Sequence, residues 1–181
     1  MAFAEKKLSG NVMYKGKFIT VECDDVELED GKCAKRDVVR HNGAVCIVAM
    51  NDDNSVYMVR QYRYAVGREM FELPAGKLES GEDPFEAAKR ELSEETGCTA
   101  KNWEDLGYMY PTPGYSNEIL YFYLATGLDK GKMNLDEDEF LTCETVNIHE
   151  LIAKIENNEL HDAKTVYGLY KAVYYLNNNK I

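Results

Sequence analysis

The stretch from Asp83 to Gly97 most restricts how this chain can fold. Asp83-Pro84-Phe85-Glu86 reads as a helix start. Asp83 can accept from a free backbone donor as N-cap, Pro84 suits the first helical position, and Glu86 can reach back to complete a capping box. Gly97 can take the left-handed conformation that closes a helix. Between these ends, Phe85, Ala88 and Leu92 recur at three- and four-residue spacing, so one stripe must face a core. Glu91, Glu94 and Glu95 share another side. Arg90 can snorkel or pair with Glu82.

Three carboxylates held this way repel one another. At about 5 Å and an effective dielectric of about 20, each pair costs about 3 kcal/mol before screening. Taken alone, such a run is ordinarily a solvated acidic face. Glycines and Arg90 at fixed offsets point instead to a bound divalent cation, for which carboxylate oxygens are suitable ligands.

The chain has 181 residues, enough for one domain with a small appendage, and 45% hydrophobic residues, enough for a sizeable core. A net charge of −11 argues against a nucleic-acid partner, which needs a basic surface. A negative protein that binds an anion must do so through local cations, meaning metal and a few arginines. The five cysteines form no C-x-x-C pair and the three histidines form no ligand cluster, so a zinc site is not expected. The odd cysteine count, with no signal peptide and no long apolar run, points to the cytoplasm and away from a membrane.

Residues 1–40 read as a small antiparallel sheet: Phe18–Leu28, a turn at Glu29-Asp30-Gly31-Lys32, and Cys33–Arg40 returning. Such a sheet is marginal alone and must lean on something. Ala44–Met50 is a near-continuous apolar run, expected of a strand buried on both faces. Further strands are expected at 56–63, 70–73, 106–110, 119–125 and 141–148. Asn147 with Glu150 marks a helix to about Asn157. Asp162 caps a last helix with an apolar face of Val166, Leu169, Tyr170, Val173 and Leu176. The expected fold class is α/β (α+β), an α/β/α sandwich around a mixed sheet. Its boundaries are 1–40 for the N-terminal β-sheet and 41–181 for the main domain.

Gly76, Glu82, Arg90, Glu91, Leu92, Glu94, Glu95 and Gly97 match the fixed positions of the Nudix box. Cys98 stands where an aliphatic residue is more usual, and a buried thiol behaves as a small hydrophobe. The chain therefore resembles the Nudix hydrolases over roughly residues 40–178, and the resemblance implies the same sandwich fold. Outside the box, Gln61-Tyr62-Arg63, Glu72-Leu73-Pro74-Ala75-Gly76 and Thr112-Pro113-Gly114 resemble segments of ADP-ribose pyrophosphatases. So does the last helix entrance, Glu159–Thr165, which reads as structural.

The resemblance implies metal-dependent hydrolysis of ADP-ribose, and of other ADP-sugars, to AMP and ribose 5-phosphate. It implies that Glu91, Glu95 and the Ala75 carbonyl hold Mg2+, with Mn2+ as an alternative. A catalytic carboxylate would come from Glu94 or from the acidic run Asp136–Glu139, where Glu137 and Glu139 are the candidates and Glu139 could also be a ligand. Taken alone, that run is an ordinary solubilising loop. Arg63, Pro113, Gly114 and Glu118 would meet the substrate, with Arg36 as a second phosphate contact. Gly76, Glu82, Arg90 and Gly97 would shape the box. The expected partners are a nucleoside diphosphate sugar and a second copy of the chain, the N-terminal sheet being shared in a homodimer. Competing readings are a pyrophosphatase for another nucleotide sugar or a dinucleotide, and a silent nucleotide sensor. A sensor typically loses box carboxylates, and none is lost here.

Overall fold

A computed structural model describes residues 3–135 and 139–178. The chain forms two compact units, residues 1–43 with 110–119 and residues 44–109 with 120–181.

In the first unit, β1 (Lys6–Lys15), β2 (Thr20–Glu27) and β3 (Cys33–Arg40) form an antiparallel sheet in that order. The β2–β3 turn is the one expected: Gly31 takes a positive φ and the Asp30 carboxylate accepts from the Lys32 N–H. The 110–119 loop is tied to β3. The Val39 N–H donates to the Tyr115 carbonyl at 2.7 Å, and the Asn117 N–H to the Val39 carbonyl at 3.2 Å.

The second unit is built on β4 (Ala44–Ala49), in which every residue is buried. Its side chains alternate between two cores, as the two-residue period of a strand requires. Cys46 and Val48 face a core completed by α2 (Ile148–Glu156) and α3 (Ala163–Asn178), through Ile148, Leu151, Leu169 and Ala172. Val45, Ile47 and Ala49 face a core completed by α1 (Pro84–Thr96), through Ala87, Ala88 and Leu92. Helices therefore cover both faces of β4, the expected α/β/α arrangement. One sheet runs β7 (Ala75–Lys77), β4, β9 (Leu120–Lys130), β8 (Cys98–Met109), with β4 and β9 parallel and the other pairs antiparallel. A second sheet runs β10 (Leu141–Asn147), β5 (Ser55–Arg63), β6 (Arg68–Glu72). Among the described residues, no helix is long and apolar enough to cross a membrane.

Three expectations change. The strand expected at 106–110 begins at Cys98. It is an edge strand whose outer face is polar, so its first half carries no apolar run. β7 is only three residues long and too short to read from periodicity. Tyr170, expected on the inner face of α3, is exposed; Leu169 is buried as expected, and Ala172 joins it in the core.

Candidate active site

The carboxylate ridge begins with the ends of α1. Asp83 accepts from the N–H groups of Phe85 and Glu86, as an N-cap should. The return arm of the capping box is replaced, because the Glu86 carboxylate pairs with Lys89 at 2.8 Å. At the other end Gly97 has φ 73°, and a Cβ there would lie 2.8 Å from the backbone of Lys132 and Met133. The chain leaving β9 thus packs against the helix end. The Gly131 N–H donates to the Gly97 carbonyl, and the Asn134 N–H to the Glu94 carbonyl. That contact leads the chain back over α1 just before the acidic run.

Arg90 is the hub of the box. It holds both oxygens of Glu82 at 2.9 and 3.0 Å, Glu91 at 2.7 Å, Glu94 at 2.9 Å and the Lys77 carbonyl at 3.2 Å. Glu82 also accepts from the Glu79 N–H. The expected Arg90–Glu82 pair is present, and Arg90 reaches two of the three ridge carboxylates as well. Its guanidinium is held more firmly protonated than usual, first by Glu82.

Glu91 and Glu95 are only 6% and 2% exposed. The Glu91 carboxyl lies so close to Gly76 that a Cβ there would come within 1.8 Å of it. Only glycine leaves that space. The Ala75 N–H donates to Glu95 at 2.9 Å. Burial raises the pKa of Glu91 despite Arg90, and the charges of Glu94 and Glu139 add to the rise. Burial pushes Glu95 up to about 8. The Ala75 N–H opposes that shift, and Glu91 and Glu139 reinforce it. Glu139 is therefore within electrostatic reach of both ridge carboxylates, whereas Glu137 lies outside the described residues.

Arg63 is the last residue of β5. Its guanidinium grips Glu72 with two hydrogen bonds, of 2.8 and 2.6 Å, and its side chain remains 40% exposed. Glu72 is buried and is also held by Lys164. The lysine was missed as part of the site: the two residues are 92 positions apart and no local pattern joins them.

The remaining expected substrate residues belong to the first unit. Arg36 makes a two-point ion pair with Glu5. Pro113 and Gly114 are exposed at a turn closed by hydrogen bonds from Tyr115 and Ser116 to the Thr112 carbonyl. Glu118 lies 3.8 Å from His41.

The ridge suits a hard divalent cation. Its donors are carboxylate oxygens, two of them are buried and hard to ionise unaided, and Gly76 leaves one of them room. Among the described residues, however, no three acidic, histidine or cysteine side chains converge as a ligand set. Arg90 takes one oxygen from Glu91 and one from Glu94 and supplies the countercharge.

A buried glutamate ridge beside an arginine on an α/β/α sandwich is suited to phosphoryl chemistry with a divalent cation. The NUDIX domain model matches residues 40–168, and the model of a nucleoside diphosphate sugar hydrolase N-terminal domain matches residues 5–39. The chain belongs to the Nudix family. It is 41% identical to an ADP-ribose pyrophosphatase of Bacillus subtilis (strain 168), over 91% of this chain and 90% of that protein. It is 40% identical to the methanol dehydrogenase activator of Bacillus methanolicus, over 92% and 91%. A crystal structure of an ADP compounds hydrolase shares the fold, with a TM-score of 0.88 at 23% identity, covering 99% of this chain and 98% of that one.

Proposed function

We propose that this Nudix enzyme hydrolyses the diphosphate of ADP-ribose, and of related ADP-sugars, to AMP and a sugar phosphate, with Mg2+ as its cation and Mn2+ as a substitute. The observation that carries the reading is the buried Glu91–Glu95 pair, packed against Gly76 and raised in pKa by burial. The similarity to an ADP-ribose pyrophosphatase over most of both chains supports the choice of substrate.

Glu91, Glu95 and the Ala75 carbonyl would hold the cation. When bound, it neutralises charge growing on the phosphoryl oxygens. Arg63 is assigned to the same oxygens. Glu82 fixes Arg90, and Arg90 fixes the rotamers of Glu91 and Glu94. Glu139 or Glu94 accepts the proton of the attacking water, and Glu137 is a further candidate. Arg36 is assigned to a second phosphate contact and Glu118 to a ribose or to water near the diphosphate, with Pro113 and Gly114 as further substrate contacts.

The exposed edge strand β1 supports a homodimer. All ten of its residues are exposed, including Leu8, Val12, Met13 and Tyr14. A ten-residue exposed edge strand carrying Leu8, Val12, Met13 and Tyr14 can take a partner strand. Five free cysteines agree with a cytoplasmic setting.

Turnover of the purified protein on ADP-ribose, GDP-mannose and a dinucleotide, with Mg2+ or Mn2+, tests the reading. ADP-ribose should give the highest kcat/KM, with AMP as product. Preference for another substrate would reassign the specificity, and no turnover on any would end the assignment. A second reading, action on a partner protein, has the dehydrogenase activator behind it. Adding purified methanol dehydrogenase to the assay separates the two.

A further inference from the structure

Among the described residues outside α1, Glu72 is the most deeply buried carboxylate, at 1% exposed, and it is shared by two cations. Arg63 holds it from a partly exposed position, and Lys164 from a nearly buried one. Burial alone would raise the Glu72 pKa, but hydrogen bonds and charge from Arg63 and Lys164 bring it below the ordinary carboxylate value. Lys164 is held in turn by Asp162 at 2.9 Å. Asp162 accepts from both the N–H and the hydroxyl of Thr165, and the Thr165 hydroxyl accepts from the Leu73 N–H at 2.8 Å. The entrance of α3 is thereby joined to the link between β6 and β7, just before Ala75.

A buried carboxylate with one cationic partner cannot release it cheaply, since a bare charge would be left behind. A carboxylate with two can release one. We propose that Lys164 is a positioning residue for substrate binding: by holding Glu72 as an ionised pair, it allows Arg63 to transfer its guanidinium from Glu72 to an anionic diphosphate. The inference rests on the reading of Arg63 as a diphosphate contact. It adds Lys164, acting through Glu72, as the residue that decides whether that contact is available.

The test uses the full chain, with α,β-methylene ADP-ribose for affinity by calorimetry and ADP-ribose for turnover. Lys164→Met should weaken analogue binding and raise KM by about tenfold or more, with a smaller change in kcat. Lys164→Arg should recover most of the loss. In a Glu72→Gln background, Lys164→Met should add less than about a twofold loss, because the two residues act as one unit. Unchanged affinity and KM in folded Lys164→Met overturns the proposal, and so does an equal loss in both backgrounds. Should Lys164→Met fail to fold, Glu72→Gln is compared with Glu72→Gln/Lys164→Met, and a further loss of affinity in the double variant overturns it. A parent that binds the analogue but leaves ADP-ribose intact defeats the functional reading alone, and the affinity series still decides Lys164. A parent that does not bind the analogue defeats both.

Discussion

At Glu95, burial opposes ionisation, and the Ala75 N–H and the charge of Arg63 favour it. Its folded pKa of about 8 lies above the ordinary 4.5, so the folded state binds the proton more tightly than the unfolded one. The resulting stability is fully present below about pH 4.5 and is lost as pH rises through about 8. Melting scans of metal-free protein should show Tm falling from about pH 4.5 to about 8 and levelling off above that, with added Mg2+ restoring most at the alkaline end. Glu95→Gln should flatten that profile, raise the metal-free Tm at pH 9, and lower kcat by about a hundredfold or more. Gly76→Ala is expected to fold but to displace Glu91, because its Cβ would need the space the carboxyl occupies. Its kcat/KM should fall by at least about tenfold, measured beside an unchanged circular dichroism spectrum. The ridge carboxylates were legible in the sequence because a helix fixes neighbours three and four residues apart, and Gly76 was legible through its place in the Nudix box. That Arg90 would bind two ridge carboxylates was not, since rotamers depend on what surrounds them.

At the scale of the element, α1 was almost fully readable. Its N-cap, first-turn proline, apolar stripe and left-handed terminus all appear as local chemistry requires. Asp83→Ala should cost about 1 kcal/mol, and Leu92→Ala about 2–5 kcal/mol, both measured by urea unfolding. Gly97 does more than end the helix. The backbone of Lys132 and Met133 passes against it, so Gly97→Ala meets both a strained φ and a collision. It should lower Tm by several degrees and activity with it, through the segment that leads to Glu139. β7 and the first half of β8 were not legible. One is too short for a period, and the other alternates against neighbours supplied by β9.

At the scale of the molecule, β1 presents ten exposed residues along an unpaired sheet edge. The chain should run as a dimer by light scattering, and Val12→Lys with Met13→Glu should shift it toward monomer. What the sequence alone determined is whatever lies within a few residues: helix limits, the buried β4 run, the turn at Gly31, and the family signature in the box. These follow from backbone preference and periodicity, which act over one or two turns. The tertiary structure alone decided which distant charges meet, as with Glu72 and Lys164, and how far burial lifts Glu95. Desolvation and ion pairing depend on packing in three dimensions, and no local pattern in a chain carries that information.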